Sequence, residues 1–137
     1  MPLVVADQGE LRLLDIMLKV ALSTNENQIL KLYQNNYTPT SAAAPGSFTE
    51  ATFTGYAART LTRSTWSSAV TVSNKAESSY GATPQSWTCG ATGNTIYGYT
   101  VEAGGKTMWG ELFSTARVLA SGDVLNITPK FTLNSET

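Results

Sequence analysis

Glu102 and Glu111 flank a Gly104-Gly105 turn, in the segments NTIYGYTVEA and KTMWGELF, and are the two residues of this chain best spaced to do chemistry. A carboxylate pair held across neighbouring strands is the machinery of glycoside hydrolysis: one acid protonates the leaving oxygen while the other acts as base or nucleophile. Strand-surface glutamates are ordinarily solvated, however, and no other residue type here supports catalysis. The absence of histidine removes the commonest general base and the commonest metal ligand together, and one cysteine, Cys89, cannot build a zinc cluster. With no histidine to activate it, Cys89 reads as a small buried hydrophobe. Gly105-Lys106-Thr107 has the ending of a phosphate-binding loop. Thr100 stands where that loop needs its first glycine, and a strand follows instead of a helix, so AGGK reads as a hairpin turn. No clustered-oxygen loop for calcium occurs. Asn36-Tyr37-Thr38 and Asn126-Ile127-Thr128 match glycosylation sequons, as Thr-rich sequences do by chance. The expectation is a non-enzymatic chain without metal or cofactor.

Two other recognition chemistries can be weighed from composition. Trp66, Trp87, Trp109, Tyr97 and Tyr99 have flat rings that could stack on pyranoses or nucleobases, although such residues more often fill a sandwich core. Nine Lys and Arg against ten Asp and Glu give a net charge of -1, and the cations are spread singly, so no basic field exists for phosphates. Nucleic acid is therefore not an expected partner. The weak charge leaves self-association or docking onto a large assembly electrostatically unopposed. A lone cysteine permits no internal disulfide, which fits folding in a reducing cytoplasm. Neither an export signal nor a run of about 20 apolar residues is present, so no membrane partner is expected.

The elements that would position these residues differ along the chain. Charged residues are only 14%, and the 20 Thr and 13 Ser suit a pleated surface. The start is the exception. Asp7 and Glu10 form an acidic capping box for a helix from about Gln8 to Leu22, with Leu11, Leu14, Leu18 and Leu22 in one stripe and Leu13, Ile16, Met17 and Val20 beside it. So apolar a helix must cover the sheet or dock on another chain. Gly9 weakens its start, and LKVAL would also suit a strand.

QILKLY reads as a strand, and NNYTPTSAAAPGSF as a long loop open to partners. Further strands are expected at 51–56, 59–61, 69–73, 75–80 and 85–89, over the alternating residues 96–101, and at 107–113. Another spans 124–133, bent or at an edge where Pro129 interrupts its ladder. Short strands without alternating helices give an all-β, antiparallel β-sandwich or jelly-roll-like barrel with one N-terminal helix or arm. One domain over 1–137 is expected, with 1–24 the apolar helix or docking arm and 25–137 the sandwich. The residues expected to contact partners are Leu3, Val4, Val5, Leu11, Leu14 and Leu18 of the arm and Tyr37 and Phe48 of the loop.

IYGYTVE, MWGELF and ARVLASGDVLNITPKFTL together resemble a small structural protein of tailed bacteriophages. A GY-rich strand, a strand with W-x-E and an L-x-x-GD-x-L-x-x-TP-x-x-T-L ending recur there. The matching positions are Tyr97, Gly98, Tyr99, Trp109, Glu111, Leu119, Gly122, Asp123, Leu125, Thr128, Pro129 and Leu133. LKLYQNNYTPT and SFTEATFTGYA are similar to the same group. The resemblance implies a capsid decoration (cement) protein, made in the host cytoplasm and carried on the capsid surface of the virion. Its implied partners are the major capsid protein and sister copies in a dimer or trimer. A head-tail or tail component, or a glycan- or receptor-binding module, is the alternative.

Overall fold

Alternation in QILKLY places Leu30 and Leu32 on one face of a strand, β1 (Gln28–Tyr33), and both are wholly buried. The computed structural model describes residues 14–18 and 27–134. Eight further strands follow: β2 (Arg59–Leu61), β3 (Val70–Val72), β4 (Lys75–Ser79), β5 (Gln85–Thr88), β6 (Thr95–Ala103), β7 (Lys106–Val118), β8 (Val124–Ile127) and β9 (Lys130–Asn134). All pair antiparallel, in sheets ordered β2-β1-β6-β7, β3-β4-β9 and β5-β8. The fold is all-β, with a short helical segment at 14–18. Within the single domain expected over 1–137, contacts divide the chain into two compact units.

The larger unit comprises Glu26–Leu61 and Gln85–Ile127. Its centre is β6, flanked by β1 and β7 and buried from Ile96 to Glu102 except at Tyr97. Gly104 and Gly105, at φ 57 and 72, make the two-residue turn that starts the β6–β7 hairpin with Ala103 opposite Lys106. Arg59 of β2 ties down β5: its Nη2 donates to the Ser86 carbonyl at 2.8 Å, and its guanidinium lies 5.5 Å from the centre of the Trp87 ring. Trp87, 1% exposed, donates its indole N–H to the Ala57 carbonyl at 2.8 Å. Cys89 is buried, as its environment in the sequence suggests.

No strand forms over 51–56. Ala51 and Phe53 are buried, but Gly55 takes φ 92 and the Tyr56 N–H donates back to the Phe53 carbonyl at 3.0 Å, so the segment is a turn. β7 runs on to Val118, beyond the expected end at Phe113.

The smaller unit comprises Met1–Asn25, Thr62–Pro84 and Thr128–Thr137. Ser73 and Asn74 both adopt positive φ, the left-handed pair needed by a two-residue hairpin turn between β3 and β4. Trp66, 2% exposed, bridges to Tyr80 and meets its ring edge-on at 5.4 Å. Residues 124–133 do not form one strand. Pro129 lacks an N–H, and the ladder ends there: β8 belongs to the larger unit and pairs with β5, whereas β9 belongs to the smaller and pairs with β4.

Candidate docking site

An apolar groove of about 370 Å³ lies in the smaller unit, lined by Leu14, Ile16, Met17, Phe131 and Leu133. One wall is the helical segment 14–18, and the other is β9, which among the described residues pairs with β4 alone. Two polar contacts fix the helical wall. The Asp15 carboxylate accepts from the Ala69 N–H at 2.8 Å, and buried Arg63 donates to the Met17 carbonyl at 2.6 Å. A hydrogen bond from a charged donor contributes about 1.5–3 kcal/mol. Arg63→Met is accordingly expected to lower urea-unfolding stability by about 2 kcal/mol; a change below about 0.5 kcal/mol would show that the contact does not hold the wall.

The expected arm residues separate at this site. Leu14 and Leu18 are buried, at 1% and 0% exposure, and so belong to the chain's own packing; Ile16 and Met17 between them are half-buried and open to the groove. Leu3, Val4, Val5 and Leu11 lie outside the described residues. Phe48 of the long loop is also buried, its ring tilted against that of Tyr33 at 5.0 Å and edge-on to Tyr37 at 5.2 Å, and Tyr37 is half-buried. The loop is thus folded down over the sheet through Phe48. Phe131 and Leu133 were visible in the sequence only as strand residues. Their role in the groove arises from the strand break at Pro129, which gives β9 its own partner.

The structure does not bring Glu102 and Glu111 together. Glu102 stands opposite Ile29 and shares a face with Lys31, whereas Glu111 stands opposite Tyr99, on the other face. Each carboxylate is engaged where it sits. Lys31 Nζ lies 3.0 Å from Glu102 and 3.7 Å from Glu50, and the Tyr56 hydroxyl donates to Glu50 at 2.9 Å while accepting from the Leu32 N–H at 3.3 Å. The hydrogen bond to Glu102 raises the Lys31 pKa despite the opposing effect of burial, so Lys31 stays an ammonium clamp between segments. Burial, reinforced by Glu50, raises that of Tyr56, and burial with Glu111 does the same for Tyr99. Tyr33 is pushed up to about 12, first by burial and then by the charge of Glu111.

The stacking aromatics are distributed likewise. Trp66, Trp87 and Tyr99 are buried, and Tyr97 and Trp109 are half-buried. Among the described residues no helix is long and apolar enough to cross a membrane. No family model, no curated protein and no solved structure matches this chain.

Proposed function

We propose that this chain is a non-enzymatic structural protein of a tailed-bacteriophage virion, a cement protein that binds the major capsid protein lattice and sister copies on the head surface. The apolar groove between residues 14–18 and β9 carries this reading. It is a formed apolar surface lined by half-buried Ile16, Met17, Phe131 and Leu133. The placement of the polar groups supports it: the carboxylates of the central sheet and Lys31 are spent on internal clamps, leaving a scaffold that works through its surfaces. The resemblance to phage proteins supports it as well, since its residues sit at frame positions such as Gly98 beneath Tyr33 and the strand break at Pro129. Repetition over a lattice multiplies contacts that are individually modest.

The test uses heads assembled without this chain. Added protein is expected to co-sediment with them to saturation at a fixed ratio and to raise their resistance to heat. Ile16→Asp, still folded by circular dichroism, is expected to bind at least about tenfold more weakly, the cost of an uncompensated charge in an apolar contact. Sedimentation with tails instead, or binding indifferent to Ile16→Asp, overturns the assignment.

A further inference from the structure

A second cleft, in the larger unit and of about 660 Å³, opens between β7 and β8, with Phe113, Ala116, Val118, Val124 and Asn126 in its walls. Its walls are strand edges. Among the described residues β7 ends the sheet order β2-β1-β6-β7, and β8 pairs with β5 alone. Which backbone groups face the cleft follows from the ladder. Leu119 donates to the Asn94 carbonyl at 2.9 Å, while Val118 stands opposite Thr95 and Arg117 opposite Ile96. That pattern turns the N–H and C=O of Arg117 toward β6 and those of Val118 away from it. Just before, the register jumps from Gly98–Leu112 to Ile96–Arg117, leaving Phe113 to Ala116 without ladder partners. On the other wall, the Cys89 N–H donates to the Asp123 carbonyl at 2.8 Å, while Val124 stands opposite Thr88 and Leu125 opposite Trp87. The groups of Leu125 therefore face β5, and those of Val124 and Asn126 face outward.

We propose that this cleft is a binding site for an extended, acid-bearing segment of a partner polypeptide, which adds to a strand edge by main-chain hydrogen bonding. Unpaired edges are templates for such addition. Val118 and Val124, 75% and 54% exposed, supply apolar contact for alternate side chains of the incoming strand. Arg117 supplies the charge preference: it is exposed and makes no ion pair among the described residues. The one acid in the lining, Asp123, is committed to the Ala120 N–H at 2.9 Å. A second copy pairing with β7 about a two-fold axis at Arg117 would set guanidinium against guanidinium, a destabilising cross-strand pair. The site stands on backbone geometry and is independent of the assignment to phage heads.

The experiment screens the full chain against a displayed library of random peptides of about eight residues, long enough for one strand. Enriched sequences are expected to alternate β-branched residues and to carry Asp or Glu. Hydrogen exchange with the selected peptide should slow at Val118, Val124 or Asn126. Arg117→Glu is expected to weaken that peptide by about fivefold and to favour its lysine counterpart, the scale of an exposed ion pair. Val118→Pro, which deletes an outward donor, should weaken both. Four results overturn the proposal. They are no enrichment, enrichment without acids, protection confined to other amides, or the same amides protected by dimerisation of the chain alone.

Discussion

Gly98→Ala is expected to destabilise the larger unit by about 3 kcal/mol or more, the upper range for forcing atoms into a packed interior. Gly98 lies in β6, the inner strand between β1 and β7. A methyl group built there would overlap the Glu111 carbonyl oxygen of β7 and the Tyr33 phenol of β1 at once. Neither obstacle can retreat. The Glu111 carbonyl belongs to the ladder, and it accepts the Tyr33 hydroxyl at 2.9 Å. The Tyr33 ring is wholly buried against Phe48. Truncating Tyr33 to alanine in the Gly98→Ala background is expected not to restore stability, because the backbone overlap remains. Gly105→Ala is the comparison: its methyl meets nothing within 4 Å, so only the positive φ is strained, costing about 1 kcal/mol. Urea unfolding followed by tryptophan fluorescence separates these cases. Equal stabilities for Gly98→Ala and Gly105→Ala would mean that the sheet yields at Gly98.

Much of the frame is readable in the sequence because it is local. The period-two pattern of QILKLY marks β1, and AGGK marks a turn before any contact is known. Pro129 announces an interruption, although not that the two halves pair in different units; that depends on which edges are open elsewhere. The pairing of Glu102 with Glu111 fails for a reason no spacing reveals. In a regular hairpin with Ala103 opposite Lys106, Glu111 would fall opposite Gly98, on the face of Glu102. Instead Glu102 pairs with Thr107 and Val101 with Trp109, so Met108 is an extra residue. That bulge shifts the register by one and turns Glu111 to the opposite face. A single residue thus separates a carboxylate pair from two structural glutamates.

The groove was half legible. Helical spacing of Leu14, Ile16, Met17 and Leu18 gave the apolar wall, but which residues are consumed in packing depends on the units that form around them. The aromatic loop residues Tyr37 and Phe48 show the same ambiguity. Their composition suits a partner surface, but Phe48 is drawn inward against Tyr33 and over the side-chain-free face of Gly110.

Raising the pH is expected to unfold this chain cooperatively above about pH 10, where free phenols and lysines begin to lose their protons. Tyr33 is pushed up to about 12, Tyr56 and Tyr99 are shifted in the same direction chiefly by burial, and Lys31 is raised by its bond to Glu102. All four groups hold their protons more tightly folded than unfolded. Their contribution is therefore fully present below the unfolded values and is lost as pH climbs through the folded ones. Between these limits the unfolded chain binds fewer protons, so stability falls by up to about 1.4 kcal/mol per pH unit for each group. The contributions overlap because Tyr56, Glu50, Lys31 and Glu102 form one cluster, while Tyr33 and Tyr99 each interact with Glu111. Unfolding free energies from urea titrations should be flat from neutrality to about pH 9 and then drop with a slope of two or more protons. Phenolate absorbance should appear in step with loss of structure. Tyr99→Phe, which keeps the ring, should reduce the slope by about one proton. A stability that stays level to about pH 11, or phenolate formation complete while the sheets persist, would show that these hydroxyls are not sealed by the fold.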